Sequence, residues 1–168
     1  MENVLVTGAD RGLGLGICKA FLERGFRVFA GQFMPEWSEL SELKAINPDS
    51  LQLIPLDVSS MESVKKAMQI IGGMTDTLDI IVNNAGIAGL SGNIDEEIYY
   101  EKAKHIFNVN SLGPLRVVEA CLPYMKKGEK TFMLHFFGSG KCICLYTDRW
   151  LFVYNVKDGI KYGNPAFT

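Results

Sequence analysis

Apolar positions along the chain follow two alternating patterns: short unbroken runs, and longer stretches at helical spacing. The runs NVLVT (3–7), FRVFAG (26–31), LQLIPLDV (51–58), LDIIVNNAG (78–86) and TFMLHFF (131–137) lack clean period-two alternation. They predict strands buried on both faces. Between the first two, residues 13–24 place Leu13, Ile17, Phe21 and Leu22 on one helical face, and Gly25 closes that helix. PEWSELSELKAI (35–46) opens with Pro35 and repeats Leu40 and Leu43 at helical spacing. Ser59 or Ser60 caps a helix over roughly 61–72 that ends at Gly72-Gly73. Two further helices are predicted over 95–107 and 111–127, with Pro114 in the first turn of the second.

The resulting order is βαβαβαβααβ. Strands with no wet face need helices on both sides, and right-handed crossovers then wind the chain around the sheet. The expected fold is α/β: a doubly wound parallel sheet, Rossmann-like, in three α/β/α layers. At 168 residues the chain can bury one sizeable core, so a single domain over 1–168 is expected. The sequence contains no internal repeat, low-complexity tract or linker.

The first strand feeds the first helix through VTGADRGLGLG (6–16). Gly8 can make the tight turn after Thr7, Gly12 lets the backbone approach a bound group, and Gly14 lets the helix pack against the sheet. Unpaired N–H groups and the positive dipole end at that helix start suit a pyrophosphate. Because glycine in the first helical turns costs about 1 kcal/mol against alanine, a turn this rich in it points to a ligand. A doubly wound domain holding some other phosphate ligand would use the same turn.

Thr7, Gly8, Gly12 and Gly14 spell T-G-x-x-x-G-x-G. Asp57 follows in LDVS, NNAG occupies 83–86, and Asn110 stands in NVNSLGPL. Together these resemble the short-chain dehydrogenase/reductase family, most closely its carbonyl-reductase-like and C-factor-like branch. The likeness covers roughly residues 3–130; residues 131–168 diverge. The resemblance implies an NAD(P)-binding Rossmann domain that reversibly reduces a carbonyl to an alcohol. It implies cofactor contacts from Thr7, Gly8, Arg11, Gly12, Leu13, Gly14, Asp57, Val58, Asn84, Ala85 and Gly86, with Asp57 against the adenine. Taken alone, Asp57 can equally cap the turn that follows it, and Asn83 and Asn84 can be ordinary turn residues.

An acidic residue at the end of the second strand would hold the ribose 2′-OH of NAD. Here that region reads AGQFMPE, with Gln32 and Phe33 where the acid would be, and Glu36 begins the next helix. Arg11, just before Gly12, is placed to face a 2′-phosphate. NADP(H) is therefore favoured over NAD(H).

The family's chemistry uses Ser, Tyr and Lys beside Asn: Tyr moves the proton, Lys lowers its pKa, and Ser polarises the carbonyl. The matching residues are Asn110, Ser139 in HFFGSG, and Tyr154 and Lys157 in YNVKDGI. The family spaces Tyr and Lys as Y-x-x-x-K, whereas Tyr154 and Lys157 are three apart, which turns Tyr154 by about 100° on a helix. Tyr154 can equally be a core aromatic, and Ser139 a loop residue. Residues 131–156 also carry Phe132, Phe136, Phe137, Tyr146, Trp150, Phe152 and Tyr154, seven of the chain's eighteen aromatics. One reading is a shifted frame across 131–156, restored near Lys157. Family members continue for a helix and two strands beyond this point. The sheet is thus expected to be truncated after about the fifth strand, with an exposed edge there and an incomplete substrate pocket.

Composition narrows the alternatives. Net charge is −2 with both signs interspersed, so neither a nucleic-acid stripe nor a polybasic membrane helix is present. MENVLVTG has no signal-peptide pattern, and no apolar run approaches the roughly 20 residues that span a bilayer. A cytoplasmic protein acting on a small carbonyl or alcohol is expected. Self-association stays open, with the usual interface truncated. Cys18, Cys121, Cys142 and Cys144 lack zinc-like spacing, and no metal site is expected. A protein from a different class, a dinucleotide-binding or signalling protein without catalysis, would also keep the cofactor half and lose the catalytic half.

Overall fold

A computed structural model describes residues 1–88 and 99–125, together with the strands at 132–137 and 141–146. The elements are β1 (Asn3–Val6), α1 (Gly12–Leu22), β2 (Arg27–Gln32), α2 (Ser38–Ile46), β3 (Leu51–Pro55), α3 (Met61–Gly72), β4 (Ile80–Asn83), α4 (Tyr100–Phe107), a π-helical turn (Asn108–Leu112), α5 (Gly113–Met125), β5 (Phe132–Phe137) and β6 (Lys141–Tyr146). They form one six-stranded sheet in the order β3-β2-β1-β4-β5-β6. β1 through β5 run parallel, as the expected α/β doubly wound, Rossmann-like fold requires.

Alternation along the central strands divides the interior in two. Leu5, Phe29 and Ile81 face a core closed by Val64, Met68 and Ile71 of α3 and by Val117 and Cys121 of α5. Their neighbours Val4, Val6, Val28, Ala30 and Val82 face the opposite core, closed by Leu15 and Cys18 of α1 and by Leu40 and Leu43 of α2. Successive side chains of a strand point to opposite faces, so an apolar run with no polar alternation fills both cores at once. Among the described residues no helix is long and apolar enough to cross a membrane, and no group of potential ligands could hold a metal ion.

The structure departs from the sequence expectation in four places. The sheet does not stop at β5: β6 pairs antiparallel to it, in register from Phe132↔Tyr146 to Phe137↔Lys141. Only residues 138–140 join the two strands, too few for a crossover, so an antiparallel hairpin is the available geometry. The Gly-Ser-Gly at that point is a hairpin signal. Leu13 is 58% exposed and lies outside the core, which α1 meets through Leu15 and Cys18, with the expected Ile17, Phe21 and Leu22 packed against it. α2 starts at Ser38, so Pro35 belongs to the turn that Trp37 N–H closes on the Met34 carbonyl at 3.1 Å. A π-helical turn precedes α5, where a single helix from 111 was expected. At α3 the cap is Ser60, whose Oγ accepts the Ser63 N–H at 3.3 Å.

Cys18 and Cys121 are fully buried, on opposite faces of the sheet. Burial pushes both thiols from the usual 9.0 up to about 12. Unfolded thiols therefore ionise where folded ones remain neutral. The stability this contributes is complete below pH 9 and is lost as pH rises from about 9 towards about 12. Melting temperatures across alkaline pH should fall less steeply for Cys18→Ala/Cys121→Ala than for the unmodified chain.

Candidate functional site

The strand order reverses between β1 and β4, so the loops leaving these two strands part and open a crevice at the carboxyl end of the sheet. A compact clamp joins the two loops. Thr7, 1% exposed, donates its N–H to the Val82 carbonyl at 3.0 Å. Its Oγ1 accepts the N–H groups of Asn84 at 3.1 Å and Ala85 at 3.0 Å. In return the Asn84 amide Nδ2 donates to the carbonyls of Thr7 at 3.0 Å and Gly8 at 2.9 Å. Thr7 and Asn84 thus act on each other's loop, and the turn after β1 is held from β4.

The glycines have distinct tasks in this clamp. Gly8 has φ +63, and a Cβ on it would stand 2.7 Å from the Ala85 Cα. A Cβ on Gly14 would run into the Gly8 carbonyl oxygen and come within 2.6 Å of the Asn84 Nδ2. Gly14 therefore lets α1 close onto the turn and Asn84, a tighter approach than the helix-to-sheet contact expected of it. Gly12 has φ +55 and open space around it. No side chain caps the start of α1 and its first turn carries no acid, which leaves N–H groups and a positive dipole end at the crevice. Exposed Leu13 sits on that same first turn. These residues fit a dinucleotide pyrophosphate, because the uncapped helix start offers N–H groups and a side chain at Gly12 would project into the open space beside them.

Beside the turn, a cavity of about 280 Å³ is lined by Gln32, Phe33, Pro35, Leu56, Asp57 and Ser63. Asp57 closes its own turn: its N–H donates to Ser63 Oγ at 2.9 Å and its Oδ1 accepts the Ser59 N–H at 2.8 Å. It also walls this cavity, so the residue that closes the turn is also part of the cavity lining. Val58 is buried and packs on Gly113, where a Cβ would approach its Cγ2 to 2.9 Å. Arg11 lies over the Trp37 ring, 4.3 Å from its centroid. Asp10, 6% exposed, accepts the N–H groups of Phe33 and Met34 at 3.0 and 2.8 Å on Oδ1.

On the far side of the crevice, Asn110 lies in the π-helical turn. Its Oδ1 accepts the Ile87 N–H and its Nδ2 donates to the Ile87 carbonyl, both at 2.9 Å. The backbone leaving β4 is thereby pinned, and Gly86 leaves room for it: a Cβ there would stand 3.3 Å from Asn110 Oδ1. The π turn has its own support. Arg116 donates to the carbonyls of Asn108 at 3.2 Å and Val58 at 3.3 Å, and to Asn108 Oδ1 at 2.6 Å. Asn108 Nδ2 reaches the Ser59 carbonyl at 3.2 Å. Such turns occur frequently at functional sites.

The crevice thus gathers Thr7, Gly8, Arg11, Gly12, Leu13, Gly14, Asn84, Ala85, Gly86 and Asn110, with Asp57 and Val58 on the adjoining loop. Ser139, Tyr154 and Lys157 lie outside the described residues. Asp10, Trp37, Asn108 and Arg116 were missed in the sequence. A polar residue inside a Gly-rich turn was the available signal for Asp10; each of the other three takes a partner from a distant segment, Trp37 from Arg11, Asn108 from Ser59 and Arg116 from Val58. Asn83, at the end of β4 and 2% exposed, finds no partner for either amide atom among the described residues.

Comparison with known proteins agrees with this geometry. The family model for short chain dehydrogenases matches residues 2–133. Mouse mitochondrial D-beta-hydroxybutyrate dehydrogenase is 33% identical over 134 residues, 76% of this chain and 38% of that protein. Short-chain dehydrogenase ptmH of Penicillium ochrochloron is 36% identical over 134 residues, 79% of this chain and 47% of that protein. Among solved structures, an NADPH-bound carbonyl reductase from chicken fatty liver is 33% identical, with a TM-score of 0.67 over 76% of this chain and 52% of that one. The chain belongs to the short-chain dehydrogenase family, a family of oxidoreductases that bind NAD(P). It spans about half the length, or less, of the relatives it matches.

Substitutions at two positions probe the supports. Asn84→Ala should cost about 2 kcal/mol in urea unfolding by leaving two carbonyls without donors. Asn84→Asp should cost more, since a carboxylate would then face the same two oxygens. Arg116→Ala should likewise cost about 2 kcal/mol. Arg116→Lys should recover only part of that, because an ammonium cannot reproduce the guanidinium fork.

Proposed function

We propose that the chain binds a nicotinamide dinucleotide, NADP(H) ahead of NAD(H), across the crevice between the ends of β1 and β4. In this reading it is an oxidoreductase that transfers hydride between that cofactor and a small carbonyl or alcohol. The observation that carries the proposal is the Thr7–Asn84 clamp. It holds a positive-φ glycine turn and an uncapped helix start at the point where strand order reverses. The N–H groups at Gly12, Leu13 and Gly14 would receive the pyrophosphate. Phe33 and Asp57 would line the adenine cavity, and Arg11, stacked on Trp37, would meet the ribose end. The solved relatives include one described as an NADPH-bound carbonyl reductase, which supports both the cofactor and the reaction class.

When bound, the cofactor supplies or accepts the hydride. This chain's residues would orient it and handle the proton. Asn110, fixed by Ile87, would order the nicotinamide side of the crevice. Ser139, Tyr154 and Lys157 are proposed, by family resemblance, to polarise the carbonyl and move the proton.

Fluorescence titration of the purified chain with NADPH and NADH in parallel tests the reading. Saturable binding of both is expected, tighter for NADPH. Gly14→Ala should weaken both at least tenfold, as the added methyl forces α1 off the turn. Binding of neither dinucleotide would overturn the proposal. Binding without turnover across a panel of simple carbonyls would favour the non-catalytic reading.

A further inference from the structure

In doubly wound folds that bind NAD, the ribose 2′-OH is held by an acid at the end of the second strand. This chain has Gln32 and Phe33 there, yet a carboxylate still reaches the position from another element. Asp10, in the turn after β1, accepts the Phe33 N–H at 3.0 Å and 3.2 Å on its two oxygens, and the Met34 N–H at 2.8 Å. The preceding residue ties the same two segments, with the Ala9 N–H on the Gly31 carbonyl at 2.9 Å. Two consequences follow. The N–H groups just past β2, which could otherwise donate to a phosphate, are already occupied. A negative charge also sits among them, shielded from water.

Resting on the dinucleotide reading above, we infer that Asp10 is a specificity-determining residue that works against a 2′-phosphate and offsets Arg11. The two neighbours carry opposite charges and are held by different partners. Arg11 is exposed and stacked on Trp37; Asp10 is buried and bound to the loop after β2. Their opposition makes the chain a dual user whose preference for NADPH over NADH is narrowed by Asp10.

The roles separate by charge. Asp10→Asn keeps an oxygen to accept the Phe33 and Met34 N–H groups and removes the charge. The readout is the ratio of dissociation constants for NADPH and NADH, from fluorescence titration of the full chain. Calorimetric titration with 2′,5′-ADP and 5′-ADP repeats it without the nicotinamide. Asp10→Asn should move both ratios about tenfold towards the 2′-phosphorylated ligand, the size expected for one charge beside a phosphate at a partly wet surface. Arg11→Ala should move them a similar amount the other way. If Asp10→Asn fails to fold, Asp10→Ser, with a hydroxyl acceptor and no charge, makes the same test. Equal weakening of both ligands would make Asp10 a purely structural tie and overturn the inference. Failure of the unmodified chain to bind any of the four ligands would overturn the dinucleotide reading itself, and the inference with it.

Discussion

The glycine turn after β1 depends on one reciprocal set of hydrogen bonds, between Thr7 at the end of β1 and Asn84 just past β4. The two residues are 77 positions apart, yet each satisfies the other's loop. Without the clamp, the carbonyls of Thr7 and Gly8 would be left without their Asn84 donor, a penalty a tight turn cannot absorb. With it, the glycine turn is rigid enough to present the start of α1 as a row of fixed donors. A preorganised row loses no ordering entropy when an anion arrives.

The clamp also explains the spacing of the glycines. Gly8 and Gly14 are needed because other atoms of the clamp occupy the space a methyl would take. Gly12 is needed for the opposite reason: its left-handed backbone turns the chain where nothing yet stands. Two of the three serve the protein's own packing, and the third faces open space. The apolar residue at the next position, Leu13, stays exposed, while Gly14 and Leu15 beside it on the first turn of α1 are buried.

Opposite the glycine turn, the crevice depends on a local irregularity of the helix. The π-helical turn at Asn108–Leu112 brings Asn110 onto the backbone leaving β4, and Arg116 secures the turn to the loop that walls the cavity. The cavity side and the Asn110 side are therefore joined through Arg116 and Asn108, independently of the clamp. This gives the crevice two separate braces.

Much of this was legible in the chain itself. Uninterrupted apolar runs can be satisfied only by a sheet covered on both faces, so β1 through β5, the helices between them and the doubly wound class follow from the order of residues. The Gly-rich turn, Asp57, Asn84 and Asn110 were legible as motifs, since each needs one residue type at one spacing. The antiparallel course of β6 was also signalled, by a Gly-Ser-Gly link at 138–140 that is too short for a crossover. Tertiary structure alone decided the rest. The π turn came from Arg116 and Asn108 meeting carbonyls from a different loop. Asp10 reached the end of β2 because β1 and β2 are neighbours in the sheet, which brings residues 10 and 33 together. Spacing along a chain encodes contacts within one element; contacts between elements exist only once the sheet has set which strands lie side by side.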